Sequence, residues 1–282
     1  MKEIMPICSS TIISSEPHVW IPNSFGNFLK ELEHITKLCT GDDPCPLYRG
    51  HADSNWLLES TFARTCKKII LGLLPHEKPH PYVRESIDYH RIVLNLLLLK
   101  YGVLIRPPDE DDPKIDPWFE LMKFYQQYPD KDHNYLKGTF FLDWSLSQDV
   151  ALFFANLDRQ GDGAVLIFDS VTSGKILHRQ VGAMLDLMNE RCNGPNPDAP
   201  GIPLMFYPEK PKYFERAERQ KARYIAQMDI RYDLEDIWEK QESNMNGELI
   251  YLKIILPNGT QHVCTQHLME KGITKTWLFP QK

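Results

Sequence analysis

The segment 139–156, which reads TFFLDWSLSQDVALFFAN, constrains the fold of this chain more than any other part of it. Its apolar and aromatic beginning, 140–142, predicts a buried strand. The residues 143–145 (DWS) break that run, and either Ser145 or Ser147 then caps a helix by accepting a free first-turn N–H. The apolar face of this helix consists of Val150, Ala151, Phe153, Phe154 and Leu157.

The residues 143–145 allow two interpretations. Clefts are commonly built where a strand ends and a loop begins, so this carboxylate, indole and hydroxyl are candidates for a binding site. Alternatively, Asp143 and Ser145 cap the helix while Trp144 fills the core.

Composition and charge exclude several classes of protein. The chain has 282 residues, 42% hydrophobic and 25% charged, which suits one large globular domain or a domain with an appendage. Its net charge of −6 disfavours a protein that binds duplex DNA mainly through phosphates. The six cysteines form no CxxC pair, which favours free thiols over a zinc ribbon. Without a signal-peptide core or a membrane-spanning apolar run, we expect a cytoplasmic protein with no membrane contact.

Hydrophobic periodicity predicts alternating short helices and strands, hence an α+β fold. The pattern predicts helices over 25–38, 84–104, 117–127, 175–191 and 262–271, and strands over 47–49, 140–142, 164–168, 204–207 and 248–256. Trp56 and the residues after it are expected to return to the core. The charged and aromatic segment 214–229 suits a helix with a solvated face, 257–260 a hairpin turn, and 273–280 a last strand or arm.

Common catalytic motifs are missing from the sequence. It contains no Gly-rich phosphate loop, no HExxH pair and no Gly-x-Ser-x-Gly elbow, and we expect no metal site. Arg49 stands at a predicted strand end, where Gly50 starts a turn. Its guanidinium is placed either to hold a phosphate or carboxylate by a bidentate fork or to pair with an internal aspartate.

Four separated blocks resemble the motifs of the FRG domain family. The first begins with YRGH at 48–51, where Tyr48 stands for the Phe of Phe-Arg-Gly, and continues through Trp56 to Arg64. The others are LDWS with ALFFA within 142–155, RAERQKARY at 216–224, and GIT with LFP within 272–280. They occur in the family's order and together cover 48–280.

The sequence departs from the family pattern at three places. The stretch 126–129 (QQYP) lacks the histidine of the usual Gln-His-Tyr-Gly. The stretch 138–141 (GTFF) lacks the proline and arginine that precede Leu-Asp-Trp, and Ala222 replaces a glycine. If that histidine and arginine take part in chemistry in the relatives, this chain carries out that chemistry with other residues or not at all.

The resemblance implies a fold and a domain division. The family layout is similar to that of ADP-ribosyltransferases, which implies a split, mostly antiparallel ADP-ribosyltransferase-like β core flanked by helices. Residues 1–46 would then form an N-terminal arm and helix, and 47–282 the FRG domain. NAD is the implied co-substrate.

The same resemblance assigns roles to individual residues. Arg49 would hold an NAD phosphate or the nicotinamide ribose, and Ser145 would orient the nicotinamide. Gln220 or Glu218 would position the acceptor and steady the ribosyl cation, and the choice between them stays open. The residues implied to bind NAD are Tyr48, Arg49, Gly50, Asp143, Trp144, Ser145 and Tyr224. Because cleavage of the N-glycosidic bond develops positive charge on the ribose, such a cleft needs a cation for the diphosphate, an aromatic ring and a polar group near C1′.

Two functions from different classes follow. The first is an ADP-ribosyltransferase that modifies a nucleic acid (RNA or DNA) or a protein, acting as a toxin of a toxin–antitoxin or phage-defence system with an antitoxin partner. The basic and aromatic run 210–223 suits contact with single-stranded RNA or DNA, although a solvated helix face has the same pattern. The second is a non-catalytic interaction or sensor domain in which Arg49 and Asp143 form a buried pair. A nuclease-like toxin is disfavoured, since the acidic residues lack paired metal spacing.

Overall fold

The computed structural model describes residues 4–39, 46–84, 117–131, 136–169, 204–206, 215–227, 229, 231–243 and 249–280, together with 86, 88, 91–92 and 95–96. The strands are β1 (Ile12–Ile13), β2 (Val19–Ile21), β3 (Leu47–His51), β4 (Phe141–Ser145), β5 (Gly163–Phe168), β6 (Leu204–Phe206), β7 (Ala222–Ala226) and β8 (Tyr251–Leu256). The helices are α1 (Phe25–Leu38), α2 (Thr61–Leu71), α3 (Pro81–Arg84), α4 (Pro117–Gln127), α5 (Gln148–Asn156), α6 (Glu215–Arg219), α7 (Leu234–Ser243), α8 (Gln261–Glu270) and α9 (Lys275–Leu278), with a short 3₁₀ turn at Pro129–Lys131.

The described strands form one mixed, mostly antiparallel sheet. Its order is β1-β2-β8-β5-β3-β4-β7-β6, and β2 with β8 is the parallel pair among otherwise antiparallel neighbours. The predicted α+β class is therefore confirmed. β1 and β2 place the N-terminal part of the chain in the same sheet as the rest.

Two neighbouring strands near the middle of the sheet, β3 and β4, part from one another. β3 pairs with β4 through a single residue pair, Tyr48 with Ser145. By contrast, β3 pairs with β5 along its whole length, and β4 pairs with β7 in the same way. The sheet therefore has a cleft between β3 and β4, with five strands on one side and three on the other.

Helix α5 lies directly on β3. A Cβ atom added to Gly50 would stand 1.9 Å from the carbonyl oxygen of Ala151 and 2.5 Å from the backbone nitrogen of Ala155. Gly163 of the neighbouring strand is similarly close to the Ala155 carbonyl oxygen, at 2.6 Å. Glycines at these two strand positions allow the helix to approach the sheet closely.

Two apolar cores cover the two faces of the sheet. The first core joins α1, α5 and α8 to the sheet and includes Phe28, Leu32, Ile35, Ala151, Ala155, Leu252, Ile254 and Leu268. The second core joins α7 to the sheet and includes Leu47, Trp144, Phe168, Leu234, Trp238 and Tyr251. Because successive side chains of a strand point to opposite faces, Tyr48 lies in the first core and its neighbour Leu47 in the second.

Several predicted elements are confirmed. Helix α1 begins after Ser24, whose hydroxyl accepts from the backbone N–H of Asn27. Helix α4 and strand β5 also agree with the hydrophobic pattern, and Gly272 follows the end of α8 with a φ of +74°. The predicted helix at 175–191 and most of that at 84–104 lie outside the described residues.

Other predictions were wrong. Gly50 belongs to β3 instead of starting a turn, and 143–145 continue β4 instead of breaking it. Segment 214–229 is not one helix, because Lys221 adopts a φ of +46° and β7 follows. Residues 257–260 connect β8 to α8 instead of forming a hairpin, and the C-terminal segment contains helix α9. Trp56, expected in the core, is 39% exposed.

Candidate functional site

A cavity of about 160 Å³ occupies the cleft between β3 and β4. Helix α5, Arg216 of α6, Gln220 in the turn after α6 and Ala222 at the start of β7 contribute the rest of its wall. It is lined by Tyr48, Arg49, Gly50, Asp143, Trp144, Ser145, Val150, Ala151, Phe154, Arg216, Gln220 and Ala222. The structure thus brings together three segments that are distant in the sequence, including the predicted Arg49, Ser145 and Gln220.

Arg49 bridges the two strands where they part. Its Nε donates to Nε2 of His51 at 3.2 Å, and its Nη1 donates to the backbone carbonyl oxygen of Asp143. Burial lowers the pKa of Arg49 to about 10, so the guanidinium stays charged at neutral pH. Burial and the neighbouring Arg49 hold the pKa of His51 well below its usual range, so this imidazole is neutral and accepts the bond.

Asp143 supplies a carboxyl group to the cleft. Its Oδ2 accepts from Nε2 of Gln126 at 3.3 Å. Its Oδ1 is buried and has no hydrogen-bond partner among the described residues. Burial raises the pKa of Asp143, while the nearby charge of Arg49 opposes that rise. A buried oxygen without a donor is expected to accept a hydrogen bond from a ligand or water.

Helix α6 brings a second arginine to the cavity. Arg216 is half-buried, donates to the backbone carbonyl oxygen of Gln127 and lies 4.4 Å above the ring of Phe279. Sequence reasoning did not select Arg216 as a site residue, although it opens the third motif. The signal that could have identified it is its position four residues before Gln220 in a stretch already assigned to the site.

Gln220 and Glu218 differ in their surroundings. Gln220 is buried at the cavity wall, and its Nε2 donates to the carbonyl oxygen of Leu278 at 3.4 Å. Glu218 is exposed on α6 and does not line the cavity. Of the two predicted alternatives, the structure brings only Gln220 to Arg49 and Ser145.

The hydroxyl of Ser145 is occupied by the backbone. It donates to the carbonyl oxygen of Gln220 at 2.7 Å and accepts from the backbone N–H of Ser147 at 2.9 Å. Ser145 thus joins the end of β4 to the start of α5 and to the turn after α6. Its position at the cavity is that of a residue that holds three elements in place.

The predicted aromatic residues are buried and committed to contacts with other side chains. The hydroxyl of Tyr48 hydrogen-bonds Thr36 of α1 at 2.8 Å. Trp144 is 2% exposed, and its ring packs with those of Phe168 and Trp238, as the core interpretation predicted. Tyr224 pairs with Asp143 across β4 and β7 but does not line the cavity, and its ring packs against Phe119 and Phe141.

The arrangement suits an anionic ligand that also carries a hydrogen-bond donor. Two guanidinium groups favour phosphate or carboxylate oxygens, and Asp143 favours an N–H, an O–H or a positive charge. The described residues contain no group of histidine, cysteine, aspartate and glutamate side chains that could hold a metal ion.

Comparison with protein-family models, curated proteins and solved structures finds no match for this chain. Among the helices within the described residues, none has the length and apolar character needed to cross a membrane.

Proposed function

We propose that this chain is an NAD-dependent ADP-ribosyltransferase that modifies a nucleic-acid or protein acceptor and acts as a toxin with a neutralising antitoxin. The observation that carries the proposal is the cleft in which Arg49, Arg216 and Asp143 line one cavity. A mostly antiparallel sheet that splits at a cationic cleft also agrees with the ADP-ribosyltransferase-like core implied by the FRG resemblance.

In this proposal the two arginines bind the diphosphate of NAD. A guanidinium presents its N–H groups in a planar fork that matches phosphate oxygens. Arg216 is fixed over Phe279, and Arg49 is fixed by His51, so both charges are held in place before the ligand arrives. Groups held in this way lose little freedom on binding, which favours affinity.

Asp143 acts at the reacting ribose. The bond between C1′ and the ring nitrogen of nicotinamide breaks, and its electron pair stays with nicotinamide. The carboxylate form of Asp143, which burial disfavours and the nearby charge of Arg49 favours, stabilises the positive charge that develops on the ribose in this buried cleft. The nucleophilic atom of the acceptor then bonds to C1′ and gives its proton to Asp143 or to water.

Label transfer tests this proposal directly. The purified full chain is incubated with NAD labelled in its adenylate phosphate, together with RNA, DNA or a cell lysate, and labelled macromolecules are detected. The unaltered chain is expected to transfer label. Asp143→Asn and Arg216→Ala are expected to lower the rate about a hundredfold, the cost of removing one preorganised charge from a transition state.

Arg219→Ala is the matched control, because Arg219 lies on the same helix as Arg216 and does not line the cavity. It pairs with Glu215 on the surface, and its loss is expected to leave the rate within about twofold. Thermal unfolding of each variant separates loss of chemistry from loss of folding. Absence of label on every acceptor, or an unchanged rate in Asp143→Asn, would contradict the proposal.

One observation favours the alternative of a non-catalytic interaction or sensor domain. The Arg49 guanidinium already donates to His51 and to the Asp143 carbonyl, as a residue that only fixes the sheet would do. This alternative predicts that the unaltered chain transfers no label and that Arg49→Ala lowers the thermal unfolding temperature.

A further inference from the structure

A second and wider groove continues from the cavity. Its volume is about 720 Å³, and it shares Gly50 and Phe154 with the cavity wall. The loop after β3, 52–56, forms one side of it, and the loop after α5, 157–162, forms much of the other. A molecule in this groove would therefore lie next to whatever occupies the cavity.

An indole forms part of the wall of this groove. Trp56 is 39% exposed, so part of its ring is accessible from the groove. Its loop is anchored across the groove, because the backbone N–H of Ser54 donates to the carbonyl oxygen of Asp162 at 2.9 Å. The ring also lies 6.0 Å from that of His51 at the end of β3. The indole is thus a fixed surface for stacking.

All charged side chains among the described residues that line the groove are acidic. Asp53, Asp158 and Asp162 contribute carboxylates, and no described lysine or arginine lines the groove. Arg159 lies within the same loop, but its Nη1 turns inward and donates to the carbonyl oxygen of Pro257 at 2.7 Å. The indole also lines a neighbouring pocket that contains Lys78 and Lys253 together with three glutamates, so carboxylates outnumber cations around it.

We propose that this groove binds an arginine-bearing segment of a protein, which is the acceptor; this inference rests on the proposed function. A guanidinium stacks on the face of an indole and at the same time donates to carboxylate oxygens. Phosphates of a nucleic acid would instead meet the carboxylates of Asp158 and Asp162 and be repelled. The groove thus selects a protein over the RNA or DNA acceptor.

Direct binding tests the inference without relying on turnover. The anisotropy of a dye-labelled Gly-Arg-Gly-Arg-Gly peptide and of a dye-labelled single-stranded RNA decamer is measured against the full chain at low salt. The peptide is expected to bind at least tenfold more tightly than the RNA. Trp56→Ala is expected to weaken peptide binding about tenfold, since stacking of a cation on indole is worth about that factor.

Two matched controls, Trp277→Ala and Glu33→Gln, are present in the chain. Trp277→Ala removes another partly exposed indole, which lies outside the groove, and is expected to leave peptide affinity unchanged. Asp158→Asn tests the charge of the groove. Asparagine tolerates the φ of +53° at this position, and the change removes one carboxylate. It is expected to weaken peptide binding and reduce its salt dependence, whereas Glu33→Gln on the exposed face of α1 changes neither.

Release of nicotinamide from NAD is measured in parallel. Tight RNA binding, no peptide binding, or peptide binding indifferent to Trp56→Ala would overturn the inference even where NAD is turned over. Peptide binding that depends on Trp56, without any turnover of NAD by the unaltered chain, would overturn the proposed function and leave the groove as an arginine-binding surface.

Discussion

At the scale of single residues, the YRG triplet shows how packing and ligand binding compete for the same positions. Tyr48 is committed to α1 through Thr36, and Gly50 is committed to the approach of α5. Arg49 is the member of the triplet whose charged group lines the cavity. Of the residues implied to bind NAD in this triplet, the arginine is therefore the one with a chemical group to offer.

Replacement of Gly50 by alanine tests the packing role of this glycine. The new Cβ would overlap the backbone carbonyl oxygen of Ala151, at 1.9 Å, and a backbone atom cannot move aside as a flexible side chain can. Gly50→Ala is expected to lower the free energy of unfolding by about 3 kcal/mol, measured by urea denaturation.

Gly26→Ala serves as its control. Gly26 lies in α1, where an added Cβ meets no atom within 4 Å. Because alanine favours the helix more than glycine does, this change is expected to raise the free energy of unfolding by up to about 1 kcal/mol. Equal effects of the two substitutions would show that α5 does not rest on β3 at Gly50.

At the scale of elements, the sequence predicts those whose pattern is set by one face. Helix α1 carries apolar residues every three to four positions, on one face. Strand β5 is apolar throughout because both of its faces are covered. Strand β4 was predicted too short. Its polar residues Asp143 and Ser145 line the cleft, and Ser145 also bonds the turn at Gln220, so the polar sequence resembles that of a loop.

The candidate site was predictable only in part. Arg49, Ser145 and Gln220 belong to separate motifs, and the structure does bring them to one cavity. What the sequence could not show is how the hydroxyl of Ser145 is used, because its partner, the carbonyl of Gln220, is 75 positions away. Nor could it separate Gln220 from Glu218, since that depends on where α6 ends and β7 begins.

The contact between the start of β2 and helix α7 gives a pH-dependent prediction. His18 is buried, stacks on Tyr251 and contacts Glu242 through Nε2, with Glu239 3.9 Å from Nδ1. Burial lowers the pKa of His18, but the hydrogen bond and charge of Glu242, together with the charges of Glu239 and Glu235, outweigh burial and raise it above its usual value.

A raised pKa in the folded state means that the protonated His18 stabilises the fold. This stabilisation is fully present below the unfolded pKa, near pH 6.5, and is lost as the pH rises through the folded pKa. We expect the free energy of unfolding of the unaltered chain, measured in urea, to fall more steeply with rising pH above 6.5 than that of His18→Gln. His262→Gln, at an exposed position of α8, is the control, and a slope unchanged by His18→Gln would refute the role of this contact.

At the scale of the whole molecule, the N-terminal segment is built into the same sheet and core as the motif-bearing part of the chain. β2 is the parallel neighbour of β8, and α1 covers the first core. Removal of residues 1–46 would leave one edge of β8 unpaired and would uncover the side chains with which α1 packs. A motif-based division at residue 46 therefore passes through one hydrophobic core.

The fragment 47–282 is accordingly expected not to fold alone. Trp20, Phe28 and Ile35 are fully buried, and burial of three such side chains is worth roughly 5–9 kcal/mol, which is comparable to the whole stability of a typical domain. Circular dichroism and urea titration of the purified fragment are expected to show no cooperative transition. Adding the peptide 1–46 in trans is expected to restore the transition, because it supplies β2 and α1. A cooperative transition of the fragment by itself, with the midpoint of the full chain, would show that the first core closes without α1 and that residue 46 is a true domain boundary.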